Sequence, residues 1–284
     1  MVKEEKYGSA IKLFKEALKR DRKRADIYLN LGACYERLNQ FDVGEPIYKK
    51  ALELEPSNSR FNYLFGKALI RNGKINEGIT YLEEASRIEP DDPDYLYARG
   101  VGYVAINRYD LAEPAFAQAT NYAKDSCILK YNLGLAQLCL AKTNEAYEAF
   151  KQIKIDSPIA SEKYYHLAKI DFEKKKYKEA YKNVKMSLAL MPGSRQSKKL
   201  LAGIFVCTGN YREGIKILEH LQKKNLDNIL NFEIATAYQK WGDKIYKEKK
   251  FKLALDKYKQ AARYIPETEK LKSRILECEK KISR

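Results

Sequence analysis

The sequence predicts an all-α fold built as a stacked array of helix pairs, and three observations carry that prediction. Tyr63, Tyr97, Tyr131 and Tyr165 stand 34 residues apart. Gly32, Gly66, Gly100 and Gly134 keep the same interval, as do Ala112, Ala146 and Ala180. Pro56 and Pro90 repeat it in one phase, to which Pro158 and Pro192 return. A fixed period of this length marks one supersecondary unit that cannot bury its apolar face alone and must stack on copies of itself. No stretch alternates apolar and polar residues as a half-buried strand would.

The elements follow in order. Residues 1–24 carry Ala10, Phe14 and Ala17 where the second helix of a unit would place them, so a partial repeat, second helix only, is expected there. Such a helix leaves Ile11 and Phe14 uncovered, which favours a fragment cut inside a repeat of a longer protein over an orphan cap. Six tandem repeats then occupy 25–58, 59–92, 93–126, 127–160, 161–194 and 195–228. In each, a helical pattern of about a dozen residues ends near Asn or Gly, residues that tolerate the left-handed turn closing a helix. Asn39, Gly73 and Gly209 are examples. A second helix follows, with Asp42 and Glu45, or Asp110 and Glu113, spaced as capping boxes. Pro46 and Pro114 then fall in the first turn, where a missing N–H costs little. The recurring small residues mark close helix approach, and Pro56, Pro90, Pro158 and Pro192 stop the second helix.

The seventh repeat, 229–266, slips. Ala254, Tyr258, Ala261 and Pro266 lie six residues later than the period requires, and the extra residues precede Trp241-Gly242. A lengthened first helix from about Asn228 to Lys249 is therefore expected. Residues 267–284 form a C-terminal capping helix, with Leu271, Ile275, Cys278 and Ile282 on one stripe and charges elsewhere.

The content of the period is specific. Residues 25–58 set Tyr28, Leu31, Gly32, Tyr35, Tyr48, Ala51 and Pro56 in a fixed order, and residues 93–126 repeat it with Leu96, Gly100, Tyr103, Ala112, Phe116 and Ala119. In this order the chain resembles the tetratricopeptide repeat family over essentially its whole length. The resemblance implies a tetratricopeptide-type α-solenoid, a right-handed superhelix of stacked antiparallel helix pairs whose first helices line a concave face. It also implies that the second, fifth, sixth, ninth, twelfth and thirteenth places of each repeat point into that face. The fifth places here are Leu29, Tyr63, Tyr97, Tyr131 and Tyr165. Asn30 and Asn132 beside them resemble the family's groove asparagines, which hold a peptide backbone. Arg60, Lys67, Arg71, Val101, Val104, Leu135, Leu138, Lys169 and Phe172 lie further in.

Such a groove implies a non-catalytic protein–protein interaction scaffold that binds a peptide or helix of a partner. A row of tyrosines offers rigid apolar area with a polar tip for that purpose; equally, tyrosine is common at this place in the family. Two alternatives stand beside this reading: a substrate-recruiting repeat segment of a larger enzyme, as in the family's glycosyltransferases, and a nucleic-acid-binding repeat protein, which is disfavoured. One variant of the family is excluded. Some co-chaperones grip a terminal carboxylate with lysines, asparagines and an arginine spread over three repeats. Around Asn132 this chain offers Tyr97, Val101, Glu162 and His166 instead, and after Asn30 it has Arg60 but Leu64.

Composition narrows the class further. The 284 residues are 45% apolar, with no apolar run of membrane-spanning length. The net charge of +16 lies wholly in residues 151–284, which hold 32 basic and 16 acidic side chains, with Lys174, Lys175, Lys176 and Lys178 clustered. An acidic protein segment, a nucleic acid or an anionic membrane surface is what this half would attract. Most of these lysines are spaced around helices as a solvated face would have them, not in one stripe. Cys34, Cys127, Cys139, Cys207 and Cys278 are odd in number and widely spaced, and are expected buried and reduced, which points to a reducing, cytoplasmic setting. His166 and His220 have no metal-ligand partners in spacing; His166 falls on the groove side and is expected as a surface histidine. No phosphate loop, nucleophile elbow or dinucleotide fingerprint occurs, so neither catalytic residues nor a cofactor are expected.

Overall fold

A computed structural model describes residues 2–224, 228–265 and 268–283, and every regular element among them is an α-helix. The chain divides into two compact units, residues 1–152 and 153–284. The first holds α1 (Val2–Arg20), α2 (Ala25–Arg37), α3 (Phe41–Leu54), α4 (Ser59–Arg71), α5 (Ile75–Ile88), α6 (Pro93–Ala105), α7 (Tyr109–Tyr122), α8 (Cys127–Cys139) and α9 (Thr143–Lys151). The second holds α10 (Ala160–Glu173), α11 (Tyr177–Leu190), α12 (Arg195–Cys207), α13 (Tyr211–Lys224), α14 (Asn228–Lys247), α15 (Phe251–Ala262) and α16 (Glu269–Ile282). Within each unit every substantial contact joins a helix to the next or next but one in sequence. This is the one-dimensional packing that a repeat demands.

Each helix pair is registered by the eighth and twenty-fourth residues of its repeat. A Cβ built on Gly32 would lie 2.9 Å from the Tyr48 ring, on Gly100 2.6 Å from Phe116, and on Gly134 2.8 Å from Phe150. On Gly242, which holds the eighth place once the slip is allowed for, it would lie 2.6 Å from Tyr258. Where the eighth place is alanine, at Ala168 and Ala202, its partner shrinks to Val184 and Leu218. Glycine at the eighth place thus faces a ring in four repeats and Leu82 at Gly66 (2.9 Å), while alanine there faces an aliphatic chain.

The turn between the two helices is equally regular. The fifteenth place is left-handed in all seven repeats: Asn39, Gly73, Asn107, Ala141, Lys175 and Gly209 at 34-residue intervals, then Lys249 after the slip. The next residue's N–H donates to the carbonyl five residues back, as in Gln40 to Tyr35 (2.9 Å) and Lys176 to Asp171 (2.8 Å). These bonds satisfy carbonyls that the helix end leaves open.

Several expectations are corrected. The second helices begin without a side-chain cap, because Gln40 and Arg108 hold the N-cap place and close the turn before it. Asp42 and Asp110 sit one residue inside the helix; Glu45 pairs with Lys49 and Lys74 (2.8 and 2.6 Å), and Glu113 with Lys142 (3.0 Å). No capping box forms. The caps are on first helices instead, where Asn58, Asp92, Ser126 and Ser194 accept backbone N–H groups. Pro46 and Pro114 lie past the first turn, inside α3 and α7. Pro158 does not end α9, which stops at Lys151; Ile153 turns inward, 1% exposed, and its carbonyl accepts a bond from the buried Lys163 ammonium.

At the ends, α1 is one continuous helix with Ile11 and Phe14 half-buried and Leu13 exposed. Helix α14 has 20 residues against 13 in α12, and Leu230 and Ile234 on its added turns pack with Leu218 and Leu221. The expected stop near Lys249 falls at Lys247. Pro266 and the boundary expected at 266/267 lie outside the described residues. Helix α16 buries Leu271 and Cys278 against Ala254 and Tyr258. The cysteines are free thiols, but only Cys34 and Cys278 are buried; Cys139 and Cys207 close first helices and are exposed.

Candidate peptide-binding groove

In the first unit the predicted groove residues come from α2, α4, α6 and α8. Asn30 and Arg60 are exposed and Val101 is 37% exposed, while Leu135 is half-buried. Tyr63, Tyr97 and Tyr131 are half-buried rather than open. Their rings lie 4.8 Å from Tyr95, 5.9 Å from Phe116 and 5.9 Å from Phe150. Tyr97 packs against two core clusters, so the tyrosine row is partly a packing row. Burial raises the Tyr97 hydroxyl's pKa, and the Asn132 side chain of the next repeat bonds that hydroxyl. Asn132 also donates to the Ile128 carbonyl (2.8 Å). The Lys67 ammonium donates to the Tyr63 hydroxyl (2.7 Å) and lies 4.4 Å from its ring centroid. Arg71 is held by Glu36 (2.8 Å), and Leu29 belongs to the core, 4% exposed, instead of facing outward.

In the second unit α10, α12 and α14, the first helices of three successive repeats, enclose a cavity of about 610 Å³. Tyr165 and Lys169 line it as expected, together with Phe172. Leu200 and Gly203 continue the apolar wall from α12, over the buried Val206 and Ala237. Gly203 leaves the wall open: a Cβ there would reach no closer than 3.5 Å to the Phe172 ring. From α14 come Thr236, Lys240, Glu233 and Phe232, the last 61% exposed. Lys199 pairs with Glu233 across α12 and α14 at 2.8 Å. Three lysines, at 169, 199 and 240, and two glutamates, at 173 and 233, thus surround an apolar cleft. His166, on α10, is half-buried, not a surface group; burial first, and the Lys169 charge second, push its pKa down to about 4.

Sequence reading missed most of this wall. Gln196, Lys199, Leu200 and Gly203 occupy the second, fifth, sixth and ninth places of 195–228, and the same count could have found them. Thr236 and Lys240 hold the second and sixth places only after the six-residue shift, while Phe232 and Glu233 lie in the added turns and have no place in the period.

Among the described residues no group of His, Cys, Asp and Glu side chains is arranged to hold a metal, and no helix is long and apolar enough to cross a membrane.

The family model for the tetratricopeptide repeat matches residues 1–45 and 40–100. BBSome complex member BBS4 of Bos taurus is 22% identical over 302 residues, covering 92% of this chain and 58% of that protein. The Hsp70-Hsp90 organizing protein of Triticum aestivum is 34% identical over 85 residues, 30% of this chain and 13% of the relative. Among solved structures, YrrB, described as a TPR protein with an unusual peptide-binding site, superposes with a TM-score of 0.58 at 20% identity, covering 65% of this chain and 95% of its own. Residues 1–100 carry the tetratricopeptide repeat, and in each unit the helix pairs stack as an all-α array of that type. The chain spans little more than half the length of the bovine relative and a smaller share of the wheat one.

Proposed function

We propose that the chain is a non-catalytic interaction scaffold whose first helices hold a peptide or helix of another protein. The observation that carries this reading is the cleft between α10, α12 and α14: three helices repeat the same face toward one apolar, lysine-rimmed opening. Ligand sites are concave and mostly apolar, with a few placed polar groups. A groove whose walls are already helical and packed loses little entropy on binding. The relatives' names, a BBSome complex member and an Hsp70-Hsp90 organizing protein, point the same way. In the first unit, taken by itself, the corresponding face would be formed by Asn30, Arg60, Tyr63, Lys67, Tyr97, Val101, Tyr131, Asn132 and Leu135. Those residues would serve as dispersed polar, aromatic and aliphatic contacts rather than as a single pocket.

The test is affinity capture with mass spectrometry on the whole chain and on Gly203→Trp. The added ring would fill the cleft from a position where a Cβ is tolerated. Proteins captured by the native chain and lost by the variant are groove ligands. An identical set from both proteins sinks the reading.

A further inference from the structure

The period slip coincides with the cleft. Without the six added residues α14 would start near Ala235, and neither Phe232 nor Glu233 would exist to close the opening. The added turns do two separate things. Leu230 and Ile234 are fully buried and anchor the helix on α13. Phe232, between them in sequence, stays 61% exposed and lines the cleft together with Phe172 and Leu200. A ring already held outward by an anchored helix offers apolar contact area at little ordering cost on binding.

The charges at the mouth are unequal. Glu233 is already engaged by Lys199, at 2.8 Å. Lys169 and Lys240 are exposed, with Glu173 the remaining carboxylate of the lining. The surroundings extend the bias: residues 153–284 carry 31 basic and 16 acidic side chains. A ligand entering here meets a positive field focused on an apolar slot.

We infer that the lengthened α14 makes this cleft selective for an acidic segment carrying one large apolar side chain. That side chain inserts among Phe172, Leu200, Gly203 and Phe232, while flanking Asp or Glu residues face Lys169 and Lys240. The inference rests on the groove reading above and adds to it the chemistry of the occupant.

The experiment is selection of displayed random linear peptides on the immobilised full chain, followed by affinity measurement of the enriched peptides. The expected result is enrichment of Asp and Glu around a single Phe, Leu, Ile or Met. Phe232→Ser should weaken these peptides about tenfold. Lys169→Glu with Lys240→Glu should weaken them about tenfold at low salt, with the difference shrinking as salt rises. Circular dichroism checks the fold of each variant; if Gly203→Trp does not fold, Phe232→Ser, whose ring is exposed, marks the cleft in its place. Peptides that depend on the cleft but lack acidic residues, or ignore the double charge reversal, overturn this inference and leave the groove reading standing. No peptide whose binding depends on Gly203 or Phe232 overturns both.

Discussion

At the scale of single residues, the eighth and twenty-fourth places of a repeat limit each other's size. Gly100→Ala should destabilise by about 2 kcal/mol, since its Cβ would meet the Phe116 ring at 2.6 Å. In a Phe116→Val background, which copies the Ala168 and Val184 pair, the same substitution should cost markedly less. Chemical denaturation of the double-mutant cycle measures that coupling. The left-handed turn place supplies the opposite sign. Ala141, Lys175 and Lys249 adopt φ near +60° where the other repeats use glycine or asparagine. Ala141→Gly should therefore stabilise by about 1 kcal/mol, read as a rise in denaturation midpoint. His166 supplies a pH dependence. Its folded pKa of about 4 lies below the usual histidine value, so only the unfolded chain gains this proton as pH falls from about 6.5. The stabilisation is complete above that pH and is lost progressively toward pH 4. Urea midpoints between pH 7 and 5 should fall in the native chain and less so in His166→Gln. The window is clear of carboxylates such as Asp26 and Glu45, whose lowered values place their losses at more acid pH.

At the scale of elements, α14 separates packing from recognition on one helix. Leu230→Ala should cost about 3 kcal/mol, because the side chain is fully buried against α13. Phe232→Ala, two residues on, should change stability by less than about 0.5 kcal/mol. Thermal melts of the two variants check the contrast. The same helix shows what was legible in the sequence. Repeating glycine, alanine and tyrosine places located the helix pairs, because those residues mark contacts that every repeat must make. The extra length of α14 was readable as a phase shift. Its functional face was not, because Phe232 and Glu233 belong to no repeating place. The tyrosine row is ambiguous for a related reason: a residue can keep its place through packing on Phe116 or Phe150 as readily as through contact with a ligand. The capping boxes failed because a correct spacing of Asp and Glu says nothing of where the preceding turn ends.

At the scale of the molecule, charge distinguishes the two units. Residues 1–152 carry 23 basic and 22 acidic side chains, whereas residues 153–284 carry 31 and 16. Self-repulsion falls on the second unit alone. Raising salt from low to physiological ionic strength should slow amide hydrogen exchange in α10–α15 and leave α2–α8 nearly unchanged. Equal responses in both units would contradict this. The sequential contacts have another consequence, during synthesis. Within each unit no helix needs a partner further along than the next but one. A ribosome adding about 5–20 residues per second takes seconds to deliver one repeat. Helix-rich units with local contacts fold in about microseconds to milliseconds. Each pair can therefore close while the following one is still being translated, so the nascent chain exposes the apolar face of only its newest repeat.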